Sequence, residues 1–340
     1  MKKSTLFPTR HFYTRVTSLL LENHPQLRDV VGSGADSWKV ALRYRFKNQR
    51  RVLPSDGRIG ENRTKFAARR KCSEAAGAME LERHKVRKLA AATSAIAGED
   101  EASFVMHTQW LMAECRKASP DECQMLERMS VTSRRRIADI SASTVNEAKE
   151  RYPYLMNFER FCSDFQTMTK INPSACISEG INKIMKLALM KLITCEASTL
   201  DSLRSAAEMA PERLRTRHIQ TVAVLRILSA NVKELNGLSA LFVQEEDLSV
   251  PATPCIVFTG QEIEEADFLY LEVDREKLFR VKNAEEGLAA VLSAYWLFNV
   301  QYERKLFNTL VVLERLFLGL ALTTPRVVAT KFLNKIAKSV

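Results

Sequence analysis

Lys39, Arg43, Lys47 and Arg50 recur every three or four residues, the spacing that lines cations along one face of an α-helix. Arg45 and Arg51 extend the set. Fixed charges in such a row neutralise the phosphates of a polyanion and release its counterions. Tyr44 stands among them, and Asn48 and Gln49 carry amides able to read an adenine edge if the helix enters a major groove. The candidate nucleic-acid-binding residues are therefore Lys39, Arg43, Arg45, Lys47, Asn48, Arg50 and Arg51. The plain alternative is a solvated cationic face beside a core stripe of Trp38, Leu42 and Phe46. A third reading is contact with an acidic protein or a membrane surface.

Charge statistics favour a polyanion. Residues 1–90 hold 21 Lys and Arg against 8 Asp and Glu, whereas the remainder holds 30 against 32. Lys39 to Lys71 holds 12 basic residues, opposed only by Asp56 and Glu61. A local field of that size speeds encounter with polyanions. Lys47 to Arg51 and Arg69-Arg70-Lys71 bracket a polar stretch in the manner of a two-part nuclear import signal. Phe46 to Arg51 superficially resembles a homeodomain recognition helix, but the preceding segments do not follow that fold. A third basic cluster, Arg134-Arg135-Arg136, lies within a helical array and is expected to form salt bridges or a solvated turn.

The search for catalytic and metal chemistry returns negatives. No G-x-x-x-x-G-K-[ST] loop, G-x-G-x-x-G turn or G-x-S-x-G elbow is present. The histidines (His11, His24, His84, His107 and His218) have no ligand-spaced partner. His107, beside Trp110 and Met106, is expected to be half-buried and structural. The acidic run Glu262, Glu264, Glu265 and Asp267 is expected to be a solvated loop. Cys72, Cys115, Cys123, Cys162, Cys176, Cys195 and Cys255 are scattered and include no C-x-x-C pair. They read as reduced, mostly small core residues of a cytosolic or nuclear protein. No cofactor, metal or small-molecule ligand is proposed, and the chain reads as a non-enzyme.

The elements that must position these residues follow from periodicity. A helix and turn are expected over 9–31, from Phe12, Val16, Leu19 and Leu20 to Pro25. Asp36 or Ser37 caps a second helix over about 37–51, which Pro54-Ser55-Asp56-Gly57 breaks. Residues 58–98 offer no wide apolar face and read as a basic linker, with a marginal helix around 74–94. Helices are expected at 100–117, 120–150 with a possible break, 154–170, 177–195, 198–209 and 211–235. Four short strands are expected near 240–243, 255–258, 268–273 and 278–281, followed by helices at 283–299, 301–319 and 326–338. No fixed-period repeat emerges. Met-Lys-Lys opens the chain, but Arg10, His11 and Arg15 interrupt any apolar signal core. Leu306 to Leu322 carries Glu314-Arg315 at its centre and reads as a core helix, so no membrane span is expected.

Three stretches carry a resemblance. They are His24-Pro25-Gln26-Leu27 with Ser37-Trp38-Lys39 and Leu42 to Arg51; Met125 to Leu155, including Arg151-Tyr152-Pro153-Tyr154-Leu155; and Pro254-Cys255-Ile256-Val257-Phe258-Thr259-Gly260 through Phe298-Asn299-Val300-Gln301-Tyr302. In order and spacing the chain resembles, over roughly 10–51 and 125–320, the vertebrate proteins labelled sterile-alpha-motif-domain-containing protein three-like. The resemblance implies no activity and carries over no functional residue. No sterile alpha motif is evident here, because the residues before 99 are too basic and too broken for a five-helix bundle.

The expected architecture is mainly α with a small C-terminal α+β module. Its segments are a basic helical head (1–53), a basic linker (54–98), a helical array (99–237) and the module (238–340). The expected function is a non-enzymatic, nuclear protein that binds DNA or RNA through residues 39–71. Its C-terminal module would contact a protein partner or a second copy, since Leu288, Val291, Leu292, Tyr295, Trp296, Phe298, Leu306, Phe307, Leu310, Val311, Leu313 and Phe317 exceed the apolar needs of a short sheet. The alternative is a cytoplasmic interaction scaffold without a nucleic-acid role.

Overall fold

Prolines and short polar side chains cut the chain into helices. The structure, a computed structural model, describes them over residues 8–30, 33–52, 101–208, 213–247 and 250–339. The expected linker 54–98, its helix at 74–94, Cys72 and Arg69-Arg70-Lys71 lie outside the described residues. The helices are α1 (Arg10–Asn23), α2 (Asp36–Val52), α3 (Glu101–Glu114), α4 (Glu122–Ala142), α5 (Val145–Arg151) and α6 (Phe158–Thr169). They continue with α7 (Pro173–Leu189), α8 (Ala197–Glu208), α9 (Arg213–Asn231), α10 (Ala284–Leu297), α11 (Phe307–Leu316) and α12 (Val327–Ser339). The strands are β1 (Phe242–Gln244), β2 (Cys255–Phe258), β3 (Leu269–Val273) and β4 (Glu276–Val281). The fold is thus mainly α with a small C-terminal mixed sheet, as the periodicity predicts.

Local chemistry explains the boundaries. The break expected within 120–150 falls at Ser143 and Thr144, where Thr144 and Glu147 form a reciprocal capping box. Asn157, Asn172 and Asn283 cap α6, α7 and α10 by accepting first-turn amides. Pro173 opens α7, whose start lies four residues earlier than the expected 177 because asparagine and proline together form a strong start signal.

The described residues form two compact units: 8–52 with 324–339, and 101–323. This differs from a division at 237/238. The basic helix α12 closes the head, and the helical array and the sheet share one core. The physical reason for the shared core is α10, which is buried along nearly its whole length. An apolar helix of that kind needs partners on every side. It packs on α6, α7 and α9 on one side and on β2 and β3 on the other. The sheet order is β1-β2-β3-β4, with β1 parallel to β2 and the later pairs antiparallel. Asp274 and Arg275 form the two-residue β3–β4 turn, both with positive φ (55° and 65°), the geometry of a type I′ turn. Gly180 of α7 has no room for a side chain, since a Cβ there would stand 2.3 Å from the Phe317 ring.

The apolar residues that suggested a C-terminal contact surface face inward. Leu288, Val291, Leu292, Tyr295, Trp296, Phe298, Leu306, Leu310, Val311, Leu313 and Phe317 are all buried, and Phe307 is half-buried. Any partner surface on this unit would have to use other residues. Among the described residues, no helix is long and apolar enough to cross a membrane.

Candidate nucleic-acid interface

Helix α2 starts where buried and turn carboxylates meet its first amides. The first helical bond runs from Lys39 N to Ala35 O at 3.0 Å. The buried Asp29 accepts from the Ser37 amide at 2.9 Å and the Ser37 hydroxyl at 2.5 Å. A negative group thus sits at the positive end of the helix dipole. Asn334 of α12 donates to the same carboxylate at 3.1 Å and accepts from the Val30 amide at 2.9 Å. Asp36 accepts from the Ser33 amide and hydroxyl at 2.9 and 2.7 Å and faces the Lys39 ammonium at 3.7 Å. Burial pushes the Asp36 carboxyl up, but Ser33 and Lys39 outweigh it and hold it below its ordinary range.

The opposite constraint is apolar. Trp38 donates its indole N–H to Leu27 O at 2.8 Å. The Phe46 ring meets Phe12 and Tyr13 edge to face, with centroids 6.2 and 5.9 Å apart. With Leu42 these residues form the half-buried stripe expected from their spacing.

That anchoring decides which cations share a face. With about 3.6 residues per turn, Lys39, Arg43 and Lys47 fall within a sector of about 80°. Lys39 is half-buried, and Arg43 and Lys47 are exposed. Arg45 lies across the apolar stripe from them, and Asn48 lies about 180° from Lys39 by the same geometry. Both are exposed, but neither shares the cation row. Arg50 and Arg51 belong to the last turn of α2, and their side chains lie outside the described residues. Among the described residues, no carboxylate pairs with Arg43, Arg45 or Lys47. The Arg43 guanidinium sits 5.7 Å from the Tyr13 ring centre, and the Lys47 ammonium 5.9 Å from that of Tyr44.

A cleft of about 290 Å³ opens at the Lys39 end of the row. Tyr13, Thr14, Lys39, Arg43, Thr324 and Thr330 line it, with the Asp36 carboxylate on its wall. The sequence reading missed the head's dependence on Asp29 and on α12. The basic character of 326–338 was visible, but nothing local tied it to a partner 300 residues upstream.

The other charged clusters resolve structurally. Arg136 is fully buried, Arg135 pairs with Glu101 while stacking on Phe104, and Arg134 is exposed. The expectation of a salt-bridged or solvated cluster describes Arg134 and Arg135. It also describes Arg136, whose salt bridge to Asp164 is buried in the core. In the acidic run, Glu264 pairs with Arg226 at 2.6 Å, while Glu262, Glu265 and Asp267 are exposed. Among the described residues, no group of acids, histidines and cysteines could hold a metal ion. His107 is half-buried and 3.0 Å from Arg128. The cysteines depart from a mainly core role: Cys162 and Cys255 are buried, Cys115, Cys176 and Cys195 are half-buried, and Cys123 is exposed. Burial pushes the thiols of Cys162 and Cys255 up to about 12, which keeps them protonated and unreactive.

The stretches that carry the family resemblance are structural anchors in this geometry. His24 to Leu27 supplies the carbonyl that holds Trp38. The Arg151 to Leu155 stretch holds the buried Tyr152, Tyr154 and Leu155. The third stretch supplies β2 and ends at Tyr302, which donates to the buried Glu314 at 2.8 Å. Comparison with known proteins agrees with that resemblance. The chain is 25% identical over 321 residues to human sterile alpha motif domain-containing protein 3, covering 92% of this chain and 59% of that protein. It is 27% identical over 328 residues to the mouse protein of the same name, covering 92% of this chain and 60% of that one. The chain therefore spans about 60% of the length of these curated relatives. No family model matches the sequence. No solved structure matches the fold.

Proposed function

We propose that this chain is a non-enzymatic, nuclear protein that grips the backbone of DNA or RNA through α2, while the 101–323 unit contacts a protein partner or a second copy. The observation that carries the reading is two cations on one face, Arg43 and Lys47, held outward without a described carboxylate partner, beside a half-buried Lys39 that faces Asp36. Trp38 and Phe46 anchor the other side of the helix, so the row is presented in a fixed orientation. The charge excess of residues 1–90 supplies the long-range attraction. The relatives' name refers to a sterile alpha motif and is silent on nucleic acid.

The test uses the full chain, because α12 is part of the head and a fragment ending at residue 98 would lack it. Fluorescence anisotropy with a labelled oligonucleotide across salt should give a log–log slope of about −0.9 per neutralised duplex phosphate. Arg43→Glu with Lys47→Glu should abolish binding. A flat salt response, or binding that survives the double charge reversal, rejects the reading.

One observation favours the cytoplasmic scaffold instead. Helix α3 buries only Leu111 and Glu114, while Val105 and Met106 are 42% and 58% exposed. Such exposed apolar residues suit a protein contact. Light scattering on the full chain discriminates: a strict monomer with no captured partner counts against the scaffold.

A further inference from the structure

We propose that α2 selects single-stranded over duplex nucleic acid, with an unstacked base lying on Tyr44 and its flanking phosphates on Arg43 and Lys47. This rests on the nucleic-acid reading above and narrows it to one form of the ligand. Tyr44 is 59% exposed on a helix whose other aromatic residues, Trp38 and Phe46, are half-buried. Its ring is therefore not held by the head's small core. Lys47 and Asn48, three and four residues on, are its neighbours on the helix surface, and both are exposed. The Lys47 ammonium lies over the ring, 5.9 Å from its centre, so a stacking base must take the other face or displace it toward the flanking phosphate. An aromatic face flanked by cations is the arrangement that holds single strands. Stacking uses the π-face that every base presents, and the cations follow the backbone.

A duplex cannot use this arrangement in the same way. Its base faces are stacked inside, and a helix surface meets only phosphates and groove edges. Groove reading by Asn48 would also need Asn48 and the cation row on one side of the helix. Asn48 lies about 180° from Lys39 and about 100° from Lys47, so it adjoins only one end of the row. Beside the Tyr44 platform, however, the Asn48 amide can bond the edge of the stacked base. The cleft at Lys39 and Arg43 adjoins this track, but the Asp36 carboxylate on its wall faces Lys39 and disfavours a phosphate there, so the strand contacts are those of Tyr44, Arg43 and Lys47.

The experiment measures binding of the full chain to a fluorescein-labelled twelve-nucleotide oligothymidine and to the same strand annealed to its complement, at low salt. The single strand is expected to bind at least about tenfold more tightly. Tyr44→Ala should weaken single-strand binding roughly five- to a hundredfold, the range set by loss of one stacked base. Tyr44→Phe keeps the ring and should stay within about twofold of the parent by the same stacking argument. Duplex binding should not respond to Tyr44→Ala. Equal affinity for the two probes, or an unchanged single-strand affinity in Tyr44→Ala, overturns the inference. If Arg43→Glu with Lys47→Glu still abolishes both probes in that case, the broader nucleic-acid reading survives alone. If neither probe binds, both readings fall.

Discussion

Arg136 of α4 and Asp164 of α6 form a fully enclosed two-pronged ion pair. The guanidinium donates from Nε to Oδ2 at 2.7 Å and from Nη2 to Oδ1 at 2.5 Å. Arg136 is 0% and Asp164 1% exposed. The remaining donors reach Thr132 Oγ1 at 2.5 Å and the Met129 carbonyl at 2.8 Å. Burial disfavours the charge on Arg136, but the Asp164 carboxylate outweighs that and raises the pKa of the guanidinium. The pair fixes how two helices of the 101–323 unit meet.

Removing one member should therefore cost far more than removing both. Asp164→Leu leaves a buried, unpaired guanidinium and should destabilise the unit by about 3–5 kcal/mol. Arg136→Met combined with Asp164→Leu should recover most of that loss, because neither desolvated charge remains. Urea unfolding of the two variants checks this; a double variant no more stable than the single one would contradict it.

Asp29 governs the start of α2 and its tie to α12 at once. Asp29→Ala removes the acceptor of the Ser37 amide, the Ser37 hydroxyl and Asn334. The expected loss is about 1–2 kcal/mol, that of a helix cap. Amide hydrogen exchange should speed up across α2 and α12 while the 101–323 unit stays protected. Uniformly unchanged exchange in α12 would show that the carboxylate does not couple the two helices.

His218 should make the larger unit acid-sensitive. Its Nε2–H donates to the Ile263 carbonyl at 2.6 Å, and its Nδ1 accepts from the Ala284 amide at 3.1 Å, so both ring nitrogens are committed in the neutral form. Burial lowers its pKa from the ordinary 6.5, and Arg215 adds to that, against the raising effects of the Ile263 carbonyl and Glu264. The folded state thus binds this proton more weakly than the unfolded state. The His218 contribution is complete above 6.5 and is lost as pH falls from there through the lower folded-state value. Chemical denaturation from pH 7.5 down to about 5 should show a steeper decline for the parent than for His218→Gln. Identical slopes would place the acid sensitivity elsewhere.

Arg275 occupies a backbone conformation that suits glycine better. Its φ is 65° in a two-residue turn with Asp274, and Arg275→Gly creates the favoured Asp-Gly pair. The exposed bond from Arg275 Nε to the Val250 carbonyl, 3.3 Å long, is a small loss. Relief of the left-handed strain should stabilise the hairpin by about 1 kcal/mol, raising the urea midpoint without changing the slope. A lowered midpoint would show that the Val250 contact outweighs the strain.

Sequence periodicity went far with local structure. The stripe of Trp38, Leu42 and Phe46, the prolines at helix starts and the apolar run Cys255 to Phe258 each specify an element through neighbours in the chain. The cation row on α2 was legible for the same reason, because Lys39, Arg43 and Lys47 are adjacent on any helix containing them. Arg45 and Asn48 belong to the same sequence cluster but fall on other sides of that helix, a separation that appears only once the turn geometry is applied.

The sequence alone determined a basic helical front end, a helical middle and a small C-terminal sheet, because these depend on local composition and on periods of two and 3.6 residues. Tertiary structure decided the rest: that Arg136 is a core group paired 28 residues away, that α10 joins the helical array to the sheet, and that Asn334 reaches Asp29 across 305 residues. Contacts over such separations leave no local pattern, since a side chain's partner is set by how distant elements pack and not by which residues flank it.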